Sequence, residues 1–244
     1  MRPTPRARNS TMKRFDALLF DVDGTLAETE ELHRRAFNEA FAYFGLPWNW
    51  DTALYGRLLR VAGGKERIRH FLRSLPGRPS IVSDSEIAEL HRFKTSRYSS
   101  LIETGVCRFR PGVGDAIRQA LDHKQRLSIV TTTSRANVDA LMGANLGRSW
   151  ERCFDVVVAG DEVPRKKPAP EAYLRALRQL DLPARACLAI EDSRNGLIAA
   201  SEAGVPVLIT RSLYFQDEDF EGAVQVVNNL TELEDFALAL PVTS

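Results

Sequence analysis

Residues 17–25, with the sequence ALLFDVDGT, join an apolar run of four residues to a turn that carries two aspartates. Four apolar residues bounded by polar ones are typical of a strand buried on both faces of a sheet. Asp21 and Asp23 lie two residues apart at the end of this predicted strand, so their carboxylates can point to the same side. Gly24 permits a sharp turn directly afterwards. The sequence therefore predicts a buried strand that ends in a pair of carboxylates.

Four further apolar runs of the same kind follow along the chain. The five predicted strands lie at 17–20, 127–130, 156–159, 186–190 and 205–209. Helical periodicity fills most of the intervals between them, at 116–121, 136–146, 171–180 and 197–203. Strands that alternate with helices indicate a parallel sheet with helices on both faces. The predicted fold class is α/β, with a Rossmann-like parallel core.

Residues 29–101 interrupt this alternation, because they show helical periodicity without a buried strand. We therefore predict a helical domain at 29–101, inserted between two parts of the α/β core at 15–28 and 102–244. Residues 1–14 hold five basic side chains and no acidic one. We expect a disordered basic leader there, with a transit-like segment or a nucleic-acid arm as the alternative.

The overall composition excludes several classes of function. The 244 residues contain 33 Lys and Arg against 32 Asp and Glu, so no overall field favours nucleic acid or an anionic membrane as a partner. No apolar run approaches the ~18 residues that a membrane-spanning helix needs. The three cysteines are widely spaced and form no C-x-x-C pair, which favours a reducing compartment. We expect a cytoplasmic monomer that binds neither nucleic acid nor membrane.

Polar clusters follow the predicted strands. They lie at 21–25, 131–134, 166–168 and 191–193. Ligands of open α/β sheets bind beyond the carboxyl ends of the strands, so we expect these clusters to meet in one site. Each cluster alone is compatible with a plain role as a turn, a solvated loop or a helix cap. Their occurrence together, in order, favours a catalytic site.

The residue types in these clusters suit phosphoryl transfer. Neighbouring carboxylates such as Asp21 and Asp192 repel one another unless a cation lies between them, and oxygen ligands favour Mg²⁺. Lys167 and Thr132 can neutralise and hold the phosphoryl oxygens. Asp21 can then attack phosphorus to give an aspartyl-phosphate, while Asp23 donates a proton to the leaving alkoxide and later activates water.

The ordered clusters resemble the four motifs of the haloacid dehalogenase superfamily. Residues 21–25 resemble its first motif, Thr132 its second, Lys167 its third and residues 191–192 its fourth. The helical domain at 29–101 resembles the superfamily's C1 cap, which closes on substrate. The match to the second motif could equally fall on Thr131 or Thr133, because three threonines stand side by side at 131–133.

The resemblance implies a role for each matching residue. Asp21 is the nucleophile and a Mg²⁺ ligand, and Asp23 is the acid/base and a Mg²⁺ ligand through its backbone carbonyl. Asp192 is the further Mg²⁺ ligand, and Glu191 supports the site from behind. Thr132 and Lys167 hold the transferring phosphoryl group.

Three segments, at 26–38, 63–67 and 131–134, are similar to the CbbY branch of this superfamily. Members of that branch remove the 1-phosphate of xylulose 1,5-bisphosphate, an inhibitor of Rubisco. The resemblance therefore implies a Mg²⁺-dependent repair phosphatase that acts on a small phosphorylated sugar and releases xylulose 5-phosphate.

A sugar bisphosphate needs a second cationic and amide-rich cradle away from the reacting phosphate. Gly63, Gly64, Lys65 and Arg67 can form one, although an ordinary helix start has the same composition. Glu30 and His33 are three apart on a predicted helix and can reach sugar hydroxyls from one face; a solvated face is the alternative. The remaining candidate substrate contacts are Tyr55, Thr131, Thr133, Ser134 and Arg135.

Three rival functions remain open at this stage. A β-phosphoglucomutase-like mutase would use the same four motifs and pass the phosphoryl group to a sugar instead of water. A phosphoglycolate phosphatase would leave Lys65 and Arg67 without an obvious partner. A non-catalytic sugar-phosphate sensor would have no use for an acid/base beside a nucleophile.

Overall fold

The structure, a computed structural model, describes residues 13–76, 83–233 and 239–240. Eight strands occur in these residues: β1 Lys13–Arg14, β2 Ala17–Phe20, β3 Arg126–Val130, β4 Val156–Val158, β5 Cys187–Glu191, β6 Val207–Thr210, β7 Gln225–Val227 and β8 Ala239–Leu240. Six of them form one sheet in the order β4-β3-β2-β5-β6-β7, and every neighbouring pair is parallel. This confirms the predicted parallel α/β core.

Eight α-helices in the described ranges surround and extend this sheet. They are α1 Glu30–Tyr43, α2 Thr52–Leu58, α3 Gly64–Ser74, α4 Asp84–Glu103, α5 Val113–Asp122, α6 Arg135–Leu146, α7 Glu171–Leu180 and α8 Arg194–Glu202. Two cap-domain helices have strong start signals. Asp51 accepts a hydrogen bond from the backbone of Leu54 at the start of α2, and Ser83 forms a capping box with Glu86 at the start of α4.

The sheet separates two apolar layers, because successive side chains of a strand point to opposite faces. Leu18 and Phe20 of β2 belong to the layer that includes residues of α5 and α6. Ala17 and Leu19 belong to the layer that includes residues of α7 and α8. All four side chains are fully buried. The core is therefore a doubly wound sheet, as the alternating pattern predicts.

The helices α1 to α4 form a cap with an apolar cluster of its own. Phe37 and Phe41 of α1 pack with Trp50, Tyr55 of α2 and Ile68 of α3 in this cluster. Helix α4 runs to Glu103, two residues beyond the predicted end of the insert. The cap therefore has its own core, since its large side chains are buried against one another.

The chain enters and leaves the cap at neighbouring positions. The backbone N–H of Arg110 donates to the carbonyl of Leu26 at 2.8 Å, which joins the outgoing and returning segments. The Arg110 guanidinium also lies 3.4 Å from the Glu28 carboxylate and donates to the carbonyl of Gly24 and to Thr210 at the end of β6. Arg110 therefore links the segments that enter and leave the cap, here called the two crossings, to the end of β6 in the sheet.

The predictions at the chain's ends and edges have mixed outcomes. The edge strand β7 was not predicted, because Gln225–Val227 is short and only its last residue is buried. Residues 1–12 of the predicted basic leader lie outside the described residues. The last two residues of that segment form β1, which pairs antiparallel with β8. Among the helices of the described ranges, none is long and apolar enough to cross a membrane.

Candidate active site

The strand order reverses at the centre of the sheet. From β2 the chain continues to β3 and β4 on one side, whereas β5, β6 and β7 lie on the other. Asp21 directly follows β2, and Glu191 and Asp192 lie at the end of the adjacent strand β5. Ligands of open α/β sheets bind at such a switch point. The first and fourth motifs are therefore adjacent where a ligand is expected.

A cavity of about 430 Å³ lies between this edge of the sheet and the cap. Most of the predicted site residues line it: Asp21, Asp23, Glu30, His33, Gly63, Gly64, Lys65, Arg67, Thr132, Thr133, Ser134, Lys167 and Asp192. Core and cap both contribute, so a bound ligand would contact both domains. The cavity is the meeting point that the polar clusters predict.

Lys167 is the centre of a buried polar network on the core side of the cavity. Its ammonium donates to Asp21 Oδ1 at 2.6 Å, to Glu191 Oε1 at 2.5 Å and to the carbonyl of Val130 at 2.8 Å. The hydroxyl of Tyr173 donates to the same Glu191 oxygen at 2.5 Å. Burial lowers the pKa of Lys167, but the two carboxylates outweigh this and hold that pKa above its usual value. Lys167 is therefore a fixed cation next to Asp21.

The carboxylates around Lys167 form a group suited to a divalent cation. Oxygen atoms of Asp21, Glu191 and Asp192 lie within 4.8 Å of one another, and all three residues are buried. Three carboxylates facing one ammonium leave two negative charges without compensation. Among the described residues, Glu191 Oε2 and Asp192 Oδ2 have no hydrogen-bond partner. Hard oxygen donors with this charge fit a divalent metal such as Mg²⁺.

The pKa values of these carboxylates reflect the two negative charges that no cation compensates. Burial raises the pKa of Asp21 to about 8, an effect that Lys167 opposes and Glu191 reinforces. Burial, together with Asp21 and Glu191, also holds the pKa of Asp192 well above its usual value. In the metal-free protein the cluster therefore retains protons, because close carboxylates cannot all ionise.

Two glycines make room for the carboxylates of Asp192 and Glu191, because they carry no side chain. A Cβ added to Gly24 would lie 1.9 Å from Asp192 Oδ2, and Gly24 has a φ of 80° that disfavours other residues. A Cβ added to Gly196, in the first turn of α8, would lie 2.0 Å from Glu191 Oε2. The backbone therefore approaches the acidic group closely from both sides.

Asp23 is oriented away from this group and towards the cap. Its Oδ1 accepts hydrogen bonds from Thr29 Oγ1 at 2.5 Å and from His33 Nε2 at 2.9 Å. On the other side of the imidazole, Lys94 Nζ lies 2.5 Å from His33 Nδ1. A neutral imidazole satisfies both contacts, with Lys94 as donor to Nδ1 and Nε2 as donor to Asp23. The acid/base candidate is therefore held by Thr29 and His33 at the start of α1, and His33 in turn contacts Lys94 of α4.

The surroundings of Asp23 set its charge. Burial raises its pKa, but the contacts with His33 and Thr29 outweigh this and lower the pKa to about 2. Burial and the neighbouring Lys94 lower the pKa of His33. Burial also lowers the pKa of Lys94 to about 7. Asp23 is therefore a carboxylate at neutral pH in the ligand-free site.

Four of the predicted site residues do not line the cavity. Glu191 lies behind it and accepts a hydrogen bond from Lys167 at 2.5 Å. Tyr55 is fully buried in the cap and donates to Glu30 at 2.7 Å, so its contact with the cavity is indirect. Thr131 is buried and its hydroxyl accepts from the backbone of Thr133 at 3.2 Å. Of the threonine triplet, only Thr132 and Thr133 reach the cavity.

The fourth is Arg135, whose predicted phosphate contact is not supported by its position. Its guanidinium donates to Asp139 at 3.0 Å and also to Glu151, and it lies over the ring of Trp150. None of these three partners lines the cavity. Arg135 is therefore part of a surface network, because two carboxylates satisfy its charge there.

The sequence interpretation missed several cavity residues. They are His91, Arg92, Lys94 and Thr95 of α4, together with Asn137, Lys166, Asn195 and Phe215. One signal was available for Lys94, since this lysine stands four residues after Leu90 and four before Tyr98, both buried. A charged residue at an apolar position of a helix indicates a buried partner or a ligand.

A Rossmann-like parallel sheet, a helical cap over its strand ends and a cavity with carboxylates between them define a capped enzyme of the α/β class. The chain belongs to the haloacid dehalogenase-like hydrolases, whose family model matches residues 15–204. It is 52% identical over 207 residues to the protein CbbY of Rhodobacter capsulatus, and the match covers 85% of this chain and 90% of that protein. The family and this relative identify the chain as a phosphatase.

Two solved structures are similar along nearly the whole chain. The crystal structure of CbbY from Rhodobacter sphaeroides in complex with phosphate has a TM-score of 0.86 and 48% identity, and the match covers 90% of this chain and 96% of that one. A second CbbY structure from that organism is an aspartate-to-asparagine variant in complex with xylulose-(1,5)bisphosphate. It matches with a TM-score of 0.88 and 46% identity over 93% of this chain and all of that one.

Proposed function

We propose that this phosphatase removes the 1-phosphate of xylulose 1,5-bisphosphate with Mg²⁺ and releases xylulose 5-phosphate. The observation that carries the proposal is the placement of cations at two separate walls of one cavity. Lys167 lies on the core wall beside Asp21, whereas Lys65 and Arg67 lie on the cap wall. A substrate with a phosphate at each end matches this arrangement. The bisphosphate complex of a 46% identical relative supports the same substrate.

In the first chemical step, an Asp21 carboxylate oxygen attacks phosphorus. The new bond joins that oxygen to phosphorus, and the bond from phosphorus to the sugar oxygen breaks. Lys167 and Thr132 hold the non-bridging oxygens and offset their charge. A divalent cation held by Asp21, Asp192 and the backbone carbonyl of Asp23 would supply further neutralising charge when bound.

Asp23 acts as the general acid in the first step and as the general base in the second. Although its pKa is about 2 in the ligand-free site, a phosphate dianion beside it raises that pKa, since nearby negative charges oppose ionisation. Asp23 then donates its proton to the departing sugar oxygen and accepts one from the water that attacks the aspartyl-phosphate. His33 and Thr29 fix the direction of the carboxylate throughout.

The experiment that tests this proposal is phosphate release with Mg²⁺ on a panel of substrates. The panel contains xylulose 1,5-bisphosphate, ribulose 1,5-bisphosphate, fructose 1,6-bisphosphate, β-glucose 1-phosphate and phosphoglycolate. We expect a strong preference for the xylulose compound, with xylulose 5-phosphate as the product. Preference for phosphoglycolate, or isomerised glucose phosphate without free phosphate, would assign the site to one of the rival functions.

The control on the same panel is Asp21→Asn, which keeps the size of the side chain and removes its nucleophilic charge. We expect turnover to fall at least about 10⁴-fold, because the covalent route is lost. Binding of xylulose 1,5-bisphosphate, measured by calorimetry, should persist. Turnover that survives the substitution would contradict the covalent mechanism. The substrate assignment would then still be decided by the comparison of wild-type rates on the panel.

A further inference from the structure

The loop that follows β6 crosses from the core to the cap. The hydroxyl of Tyr214 in this loop donates to Glu31 of α1 at 3.1 Å. The Tyr214 ring meets the ring of Tyr55 of α2 edge to face, with 5.7 Å between the centroids. The neighbouring backbone N–H of Leu213 donates to the Glu28 carboxylate at 3.3 Å. One loop of the core therefore contacts both helices at this side of the cap.

The same loop is anchored to the core. Phe215 packs against the apolar cluster of the cap and also against the core layer that includes α7 and α8. The carboxylate of Glu218 accepts a hydrogen bond from the backbone of Arg194 at 2.5 Å. The guanidinium of Arg211 lies over the ring of Phe220, 5.1 Å from its centroid. These contacts make the loop a fixed support, because it is held at several points.

Tyr55 connects this support to the cavity. Its hydroxyl donates to Glu30 Oε2 at 2.7 Å and accepts from the Arg67 guanidinium at 3.2 Å. Glu30 and Arg67 both line the cavity, whereas Tyr55 does not. Next to Tyr55, Gly56 lies close enough that an added Cβ would be 3.5 Å from the Tyr214 ring. The chain of contacts runs from the core loop through Tyr214 and Tyr55 to two cap residues of the site.

We propose that Tyr214 is a positioning residue that sets substrate specificity by fixing Tyr55, and through it Glu30 and Arg67, over the reaction centre. The inference rests on the proposed action on a sugar bisphosphate, which needs both walls of the cavity. A substrate held by the core wall alone has no need of this contact. Displacement of cap residues by ~1 Å is enough to lower turnover of a substrate that they orient.

The test compares Tyr214→Ala with Tyr214→Phe on two substrates, xylulose 1,5-bisphosphate and acetyl phosphate. For Tyr214→Ala we expect kcat/KM on the bisphosphate to fall about 30-fold, mainly through kcat, and on acetyl phosphate to change less than about twofold. Tyr214→Phe keeps the ring contact with Tyr55 and should recover most of the loss. Leu213→Ala is the matched control, since this side chain in the same loop is 67% exposed.

A second measurement does not depend on the substrate. Amide hydrogen exchange of α2 should accelerate at least about tenfold in Tyr214→Ala and stay unchanged in Leu213→Ala, because only the first loses the contact with Tyr55. Unchanged exchange, or equal losses on both substrates, would overturn the inference. If the wild-type enzyme hydrolyses acetyl phosphate but not the xylulose compound, the proposed function fails, and the best substrate of the panel takes its place in this test.

Discussion

Gly24 has a positive φ and lies so close to Asp192 that no side chain fits at this position. A φ of 80° costs an L-residue roughly 1 kcal/mol, which a folded protein of this size can absorb. The contact is the larger obstacle, since a methyl group at Gly24 would meet the Asp192 carboxylate at 1.9 Å. The carboxylate would have to leave the acidic group. Gly24 therefore protects the geometry of the proposed metal ligands.

For Gly24→Ala we expect the apparent affinity for Mg²⁺ and the turnover to fall by about 100-fold or more, because a displaced ligand weakens the site. The matched control is Gly45→Ala, where φ is 65° but nothing lies within 4 Å of the added Cβ. It should cost a similar strain and leave activity intact. The measurement is turnover against Mg²⁺ concentration for both variants. Equal behaviour of the two would mean that strain, and not the contact with Asp192, decides the outcome.

At the level of single residues, the sequence predicted the side chains that share a strand end. Asp21 and Asp192 directly follow buried strands, Lys167 lies in the segment after β4, and parallel strands bring their carboxyl ends to one edge. Lys94 was missed because it follows no predicted strand and matches no motif, and only the folded chain brings it next to His33. For Arg135 the sequence also held a competing signal, since Asp139 stands four residues further along the same helix and can pair with it.

At the level of elements, the crossing segments depend on one side chain. Arg110 is only 9% exposed, and its guanidinium donates to the carbonyls of Gly24, Thr210, Arg211 and Asn228. Removal of the guanidinium would leave several acceptors without partners, each at a cost in free energy of unfolding. The segments 24–28 and 210–211 meet around this residue, so its loss would loosen the base of the cap.

We expect Arg110→Ala to lower the free energy of unfolding by about 3 kcal/mol and the melting temperature by about 9 °C. The control is Arg118→Ala, whose ion pair with Asp115 is 69% and 62% exposed. Such a pair contributes little, so the control should change stability by less than about 0.5 kcal/mol. Thermal melts of both variants test this. A loss for Arg110→Ala no larger than that of the control would show that the two crossings hold each other without the guanidinium.

The elements themselves followed the apolar periodicity wherever burial was strong. The strands β2 to β6 lie within one or two residues of their predicted bounds, since fully buried strands are continuous apolar runs. The edge strand β7 escaped prediction because its pattern is mixed: Val226 is 37% exposed and only Val227 is buried. An edge strand needs less apolar surface, so periodicity alone gives a weak signal there.

At the level of the whole molecule, protons and the cation compete for one group of carboxylates. The pKa of Asp21 is 3.8 in an unfolded chain and about 8 in the metal-free fold. Binding of a divalent cation must therefore release a proton from Asp21 below this pH, and it becomes easier as pH rises.

We expect saturating Mg²⁺ to raise the melting temperature by about 8 °C at pH 8, on the scale of a ligand at ~100 times its Kd. The gain should shrink as pH falls towards ~6, because the folded protein then keeps the Asp21 proton. Melts in Mg²⁺ and in EDTA at both pH values measure it. A gain that is larger at the lower pH would show that the cation does not displace a proton from Asp21. Asp192→Asn should reduce the gain at every pH.

The sequence predicted that the molecule has a core and a helical insert, but it did not predict how the two contact each other. The pattern change at residue 29 predicts a helical insert, since strands and helices have different apolar periods. The contact of the β6 loop with the cap joins Tyr214 to Glu31, 183 positions apart, and no local pattern indicates it. Monomeric state and cytoplasmic location stay predictions of the sequence.

The adjacency of the two crossings, joined by the hydrogen bond from Arg110 to Leu26, makes the cap a replaceable module. Its ends leave and re-enter the core side by side, so a cap of another length can be inserted there without moving a strand. The nucleophile and its lysine then belong to the sheet, whereas substrate choice depends on the insert together with the core loop that carries Tyr214. A cap grafted at this junction would leave Asp21 and Lys167 on the sheet, but it would have to supply its own partner for Asp23 in place of His33.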